Sequence, residues 1–156
     1  MKSLAILAVA LLAPLSALAT DATPPSPAMQ WQADPKTVFE AHDVALADFQ
    51  WIARPVVVFA DTPADPRFQQ QMALLAARAD ELAERDVVIL TDTDPTALSD
   101  ARQHLRPRGF MLALLAKDGT VALRKPFPWD VRELTRAIDK MPLREQEIRD
   151  RHAAPD

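Results

Sequence analysis

The stretch Asp61-Thr62-Pro63-Ala64-Asp65-Pro66-Arg67 holds the densest set of side chains able to do chemistry in this chain. Thr62-Pro63 and Asp65-Pro66 each read as a helix cap followed by proline at the first helical position. Free N–H groups and the positive end of the helix dipole favour an anion at such a start, and an arginine adds a bidentate contact. The chemistry this pattern suits is anion or ligand binding, with Asp61, Thr62, Asp65 and Arg67 as the candidate site. A plainer arrangement uses the same residues: Thr62 and Asp65 cap the helix, and Arg67 pairs with one of the acids. That is the commoner use of these residue types.

Most other chemistries are excluded or unsupported. The chain of 156 residues has no cysteine, which removes every thiol and disulfide mechanism and any cysteine-held zinc. With only two glycines, Gly109 and Gly119, neither a dinucleotide fingerprint nor a phosphate-binding P-loop can be written. His42, His104 and His152 lie in different elements without metal-ligand spacing, and no serine stands in a nucleophile-elbow pattern. No two carboxylates are placed by sequence to share a proton, so neither general acid–base catalysis nor a cofactor is expected. The formal net charge of −4 gives no electrostatic reason to expect nucleic acid or an anionic membrane surface as partner. The arginines alternate with acids instead of forming a run, which reads as solvated surface.

The candidate site needs a strand before it and a helix after it. Residues 56–60 are an unbroken apolar run of strand length, and ligands of open α/β sheets sit beyond the carboxyl ends of such strands. Phe68, Met72, Leu75, Ala79 and Leu82 recur at steps of four and three, predicting one long amphipathic helix with Arg67, Gln70, Gln71, Arg78 and Glu81 outside. Residues 87–90 read as a second buried strand, completing a right-handed βαβ unit with parallel strands. Asp94-Pro95 predicts a shorter helix with Ala97, Leu98, Ala101 and Leu105 inward. Residues 110–116 and 121–124 flank Asp118-Gly119, the signature of a type I′ hairpin. A closing helix uses Val131, Leu134, Ile138 and Met141 before Pro142 interrupts it, and a short helical piece follows from Leu143 to about Arg151.

Upstream, Asp34-Pro35 predicts a short helix through Val38 and Phe39. Leu46, Phe49, Trp51 and Ile52 suggest an extended piece at the sheet edge, with Trp31 and Trp51 as core or edge cover. Residues 1–19 read as a cleavable signal peptide: Lys2, an apolar stretch over 4–12, and Ala17-Leu18-Ala19 before the cut. Residues 20–45 follow as N-terminal tether and extension, and the domain proper occupies 46–151. A periplasmic or secreted location is therefore expected, with no stable membrane span after cleavage. The order β, α, β, α, antiparallel hairpin, α predicts the α/β class: a thioredoxin-like three-layer α/β/α sandwich with a mixed sheet, a parallel βαβ half plus an antiparallel hairpin. Another small α/β sandwich is the alternative.

Several segments carry a resemblance. They are Phe49, Trp51 and Arg54 before the apolar run, Asp65-Pro66-Arg67 with Gln70-Gln71, Leu115 to Gly119 with Leu123-Arg124, and Ile138-Asp139 with Met141-Pro142, Arg144 and Glu147. Together they resemble a bacterial domain family of unknown function related to the DUDES domain, which occurs in vertebrate extracellular proteins that include sushi-repeat proteins. The resemblance spans about residues 46 to 150 and implies a thioredoxin-like, peroxiredoxin-related fold, export, and no known reaction. It singles out Arg54, Gln71, Lys117, Asp118, Gly119, Arg124, Asp139, Met141, Pro142, Arg144 and Glu147 as structural or family-motif positions. Of these, Arg54, Lys117, Arg124 and Arg144 converge either on a shared site or, as arginines in compact domains more often do, on ion pairs with Asp118, Asp139 or Glu147.

A working thioredoxin would hold Cys-x-x-Cys where this chain has Asp61 to Arg67, and a cis-proline near Gly109-Phe110. A peroxiredoxin would need its peroxidatic cysteine. Both departures count against redox catalysis. The expectation is a non-catalytic, exported thioredoxin-like domain that binds an envelope protein or small anionic ligand, through the end of its first strand or through the Met141-Pro142-Leu143-Arg144 segment. The alternatives are a peroxiredoxin-related enzyme using non-thiol chemistry and an envelope scaffold that only packs against partners.

Overall fold

The computed structural model describes residues 24–153. The signal-peptide expectation for residues 1–19 and the start of the tether lie outside the described residues. The centre of the molecule is β2 (Arg54–Phe59), buried at every position. Its Pro-Val-Val-Val-Phe run suits a strand covered on both faces, and alternation sends Val56 and Val58 to one face, Val57 and Phe59 to the other. β3 (Val87–Asp92) pairs with it in parallel, and the three-residue β1 (Val38–Glu40) adds to β3 in parallel. On the other side β4 (Met111–Leu115) runs antiparallel to β2, and β5 (Val121–Lys125) antiparallel to β4. In the order β1-β3-β2-β4-β5 the expected parallel half meets the expected antiparallel hairpin at β2, and β1 is a fifth strand where the sequence predicted a helix.

Helices cover both faces. On one, α1 (Pro27–Ala33), a 3₁₀ turn at Leu46–Phe49 and α4 (Asp100–Leu105) bring Trp31, Phe49, Ala101 and Leu105 onto Val57, Phe59, Val88 and Leu90. On the other, α2 (Pro66–Ala76), α3 (Ala79–Ala83) and α5 (Val131–Asp139) bring Leu75, Leu82, Leu134 and Ile138 onto Val56, Val58, Leu112 and Leu114. Each buried Val, Leu, Ile or Phe side chain stabilises the domain by roughly 1.5–3 kcal/mol relative to leaving it in water. α6 (Pro142–Ala153) follows with Pro142 opening it, so the proline ends one helix by starting another. Among the described residues no helix is long and apolar enough to cross a membrane.

Several local expectations change. Asp34 ends a helix: Ser26 caps α1, and the Asp34 carboxylate accepts from the Lys36 N–H at 3.1 Å, turning the chain into β1. Asp94 likewise folds onto the Thr96 N–H at 2.9 Å, while Ser99 caps α4 and Leu98 is left exposed at a left-handed φ of 47°. Aspartate before proline serves an Asx turn as well as a cap: at Asp94 the cap of the following helix goes to Ser99, and after Asp34 no helix follows, the predicted helix through Val38 and Phe39 being strand β1 instead. The long helix breaks at Arg78 (φ −132°, ψ 34°), so α2 and α3 pack separately. Trp31 is core, its indole N–H donating to Val87 O at 3.3 Å. Trp51 is not: it stands exposed at a φ of 65°, its backbone N–H held by Lys117 O, after a 3₁₀ turn instead of an extended piece.

In the hairpin only Gly119 (φ 89°) is left-handed, its N–H donating to Ala116 O at 3.0 Å, and the ladder slips between Leu114 and Leu115. A bulged turn with one left-handed glycine therefore replaces the two-residue type I′ turn. Gln71, expected outside, is fully buried. Its amide donates to Trp129 O at 3.1 Å and accepts from Trp129 N–H at 2.7 Å. The segment between β5 and α5 leaves both backbone groups of Trp129 in need of partners, and one carboxamide supplies both.

Candidate functional site

The loop after β2 carries the residues singled out for anion binding. Ala60 N–H donates to Asp92 O at 2.9 Å, so parallel pairing continues to the last residue before Asp61. Asp65 then caps α2, accepting from the Arg67 N–H at 2.8 Å. The same carboxylate takes both arms of the Arg67 guanidinium, Nε at 3.2 Å and Nη2 at 2.8 Å. That bond, helped by the backbone donor, holds the Asp65 carboxyl below its ordinary pKa. Thr62 Oγ1 accepts from the Ala64 N–H at 3.3 Å. Arg67 lies over the Phe110 ring, 5.5 Å from its centre, and leaves its Nη1 group without a hydrogen bond among the described residues. Asp61 faces Gly109, whose left-handed φ of 63° suits a residue without Cβ; a Cβ there would lie 3.8 Å from Asp61 Oδ2.

Beneath this mouth is a group that sequence reasoning missed. Asp92, at the end of β3, accepts from Ser99 Oγ at 2.5 Å and from Arg102 Nε at 3.0 Å and Nη2 at 2.7 Å. Arg102 also donates to Ala60 O at 3.1 Å and sits over the Phe59 ring. All three side chains are buried, so the floor of the mouth is a closed ion pair tied to the end of β2. The available signal was a serine cap three residues before an arginine on a helix that must face the sheet.

Several of the family-motif residues gather at the opposite end of β2. Arg54, almost wholly buried, donates Nη1 to Arg85 O at 2.9 Å and Nη2 to Glu147 Oε1 at 3.0 Å. Lys117 reaches Glu147 and Asp86, each at 2.8 Å. Arg85 grips Asp139 with two bonds of 2.9 Å, and Arg144 joins Asp139 to Glu147 at 3.5 Å each. Burial pushes the Glu147 carboxyl up, but Lys117 and Arg54 outweigh it, and the net shift is downward. At Asp139 burial is likewise overcome by Arg85 and then Arg144. Asp118 stays in its own hairpin turn, bonded to Thr120, and Arg124 donates to Leu105 O at 3.0 Å. Those two therefore do not join the network, whereas Arg54, Lys117, Asp139, Arg144 and Glu147 do. Arg85 and Asp86, read from sequence only as a helix end, complete it.

Two hollows flank this end. One, of about 340 Å³, is lined by Arg54, Lys117, Asp118, Met141, Pro142 and Leu143. The other, of about 320 Å³, lies across the hairpin between Gln50, His104 and Gly119. Among the described residues no three His, Asp or Glu side chains are grouped to hold a metal ion.

The family model of a domain of unknown function, DUF4174, matches residues 45–147. Two solved structures share the fold. The thioredoxin peroxidase I of Plasmodium yoelii matches with a TM-score of 0.51 and 18% identity, over 66% of this chain and 80% of that one. The reduced 2-Cys peroxiredoxin of Plasmodium vivax matches with a TM-score of 0.53 and 14% identity, over 65% and 84%. No curated protein sequence matches the chain.

Proposed function

The chain belongs to the DUF4174 family, and on that premise we propose that it is an exported, non-catalytic binding module of thioredoxin-like fold. The observation that carries this reading is the Asp65–Arg67 clasp. At the carboxyl end of the central strand, where a thioredoxin would keep its cysteines, stand a capped helix start and a half-exposed arginine with one free donor group. A chain without cysteine has no thiol to attack a peroxide or a disulfide. What is left at Asp61, Thr62, Asp65 and Arg67 is a mouth suited to a small anion or to an acidic side chain of an envelope protein. The hollow beside Met141, Pro142 and Leu143 is the second route to the same function, through the apolar wall that this segment gives it.

The same reading takes the family as bacterial and related to the DUDES domain, and residues 1–19 as the signal that sends the chain to the periplasm or the medium. Titration of the purified mature chain with sulfate and with acetate by calorimetry tests the mouth. The expected result is binding that Arg67→Ala abolishes, and no heat from the parent protein ends this route. Peroxidase or disulfide-reductase turnover by the pure protein would overturn the non-catalytic reading. The mass of the exported chain, expected to begin at Thr20, tests the export.

A further inference from the structure

The net negative charge of the chain conceals one place where the fold concentrates positive charge. Arg106 and Arg108 lie in the link between α4 and β4, and Arg124 and Lys125 at the end of β5. In the sequence these are two short pairs, well apart. In the folded domain all four line one hollow of about 260 Å³, whose remaining wall is Phe110, Met111 and Pro126. No acid lines it. Among the described residues none of the four has a carboxylate within 4.0 Å, although the arginines at both ends of β2 are paired.

The groove is also held in shape. Arg124 is fixed by its bond to Leu105 O at 3.0 Å, and its Nε and Nη2 donors have no partner among the described residues. Lys125 Nζ sits 4.5 Å from the centre of the Trp129 ring. Arg106 is set by the left-handed end of α4 (φ 49°), its backbone N–H bonded to Arg102 O at 2.9 Å. Like charges gathered without counter-charge repel one another, and a bound anion removes that repulsion.

We propose that this groove is a binding site for a small phosphate-bearing ligand carrying at least two negative charges. Three guanidinium forks can share the tetrahedral oxygens of a phosphoryl group, whereas a carboxylate offers two coplanar oxygens and is filled by one fork. The size of the hollow matches a diphosphate or a phosphorylated small molecule. It shares none of its charged side chains with the Asp61–Arg67 mouth, although Phe110, under the Arg67 guanidinium, also forms part of its wall.

Calorimetric titration of the mature chain with inorganic pyrophosphate, and in parallel with citrate, tests this. Pyrophosphate should bind in the sub-millimolar range, more tightly than citrate, and weaken as salt is raised, since the groove is exposed. The double variant Arg106→Gln/Arg108→Gln removes two charges and no side-chain hydrogen bond, so the domain should stay folded by circular dichroism while affinity falls about tenfold or more. Arg149→Ala, exposed on α6 at the opposite end of the sheet, should leave pyrophosphate affinity within about twofold. Undetectable binding at several millimolar, citrate binding as tightly as pyrophosphate, or undiminished affinity in the double variant overturns the proposal. A loss confined to Arg67→Ala would assign the anion to the mouth instead.

Discussion

At the carboxyl end of β2 the surface charges pair with near neighbours: Asp65 and Arg67 are two residues apart, and their bonds close one helix start. At the amino end the partners are remote. Arg54 meets Glu147 across 93 residues, and Arg85 meets Asp139 across 54. The surface clasp therefore fastens a single turn of helix, with the buried Asp92–Arg102 pair behind it, while the amino-end network fastens β2, the β3 approach, the hairpin and the last two helices to one another. Burial sharpens the contrast, because Arg54 is 1% exposed and Arg67 52%. Exposed pairs contribute about 0–1 kcal/mol, whereas removing one partner of a buried pair costs several. The difference teaches that Arg54, Lys117, Asp139, Arg144 and Glu147 hold the fold together, whereas the Asp65–Arg67 clasp adds little beyond its own helix start.

The largest effect should come from Arg54→Ala, which leaves Glu147 short of a partner and Arg85 O without its donor. A loss of about 3–5 kcal/mol in urea unfolding is expected. A loss below about 1 kcal/mol would erase the contrast between the ends. Acid comes next. Asp139 and Glu147 both titrate below their ordinary values in the folded chain. Their contribution is complete above the unfolded carboxylate pKa of about 4 and is lost as the pH falls through the lower folded values. Urea midpoints followed downward from pH 7 should drop across that acid range, and Glu147→Gln should flatten the curve.

Gln71→Ala strips both backbone groups of Trp129 of their partner and should cost about 1–3 kcal/mol. Gln71→Glu should cost more than Gln71→Asn if the donor to Trp129 O is what matters, and equal losses would point to packing alone. Arg67→Ala should be the mildest, within about 0.5 kcal/mol by the same measurement, since its guanidinium is half in solvent. A larger loss would make the carboxyl end as structural as the amino end.

What the sequence disclosed follows from how far each interaction reaches. The run at 56–60, the second apolar run at 87–90 and the Asp118-Gly119 punctuation are local signals, and the sheet follows from their order. Gln71 was misplaced because periodicity counts polarity and cannot see a distant backbone segment in need of an amide. An aspartate before proline satisfies a turn and a cap equally: Asp34 turns the chain from the end of α1 into β1, and at Asp94 the cap of α4 falls to Ser99. The Asp92–Arg102 pair and the groove of Arg106 and Arg124 depend on tertiary approach. A summed charge of −4 records neither. The mouth at Asp61 to Arg67 was found by position, from the rule about carboxyl ends of parallel strands, and its residues take up a cap and a clasp as local chemistry allows.

The two outermost strands have a consequence for behaviour in crowded solution. β1 is only three residues long, and β5 ends in Arg124-Lys125 followed by Pro126 and, after Phe127, Pro128. A short edge offers little template for a foreign strand, while charge and missing N–H donors spoil the register of any chain that tries to add to the other edge. A domain that no disulfide can tie down thus limits self-association through the finish of its sheet.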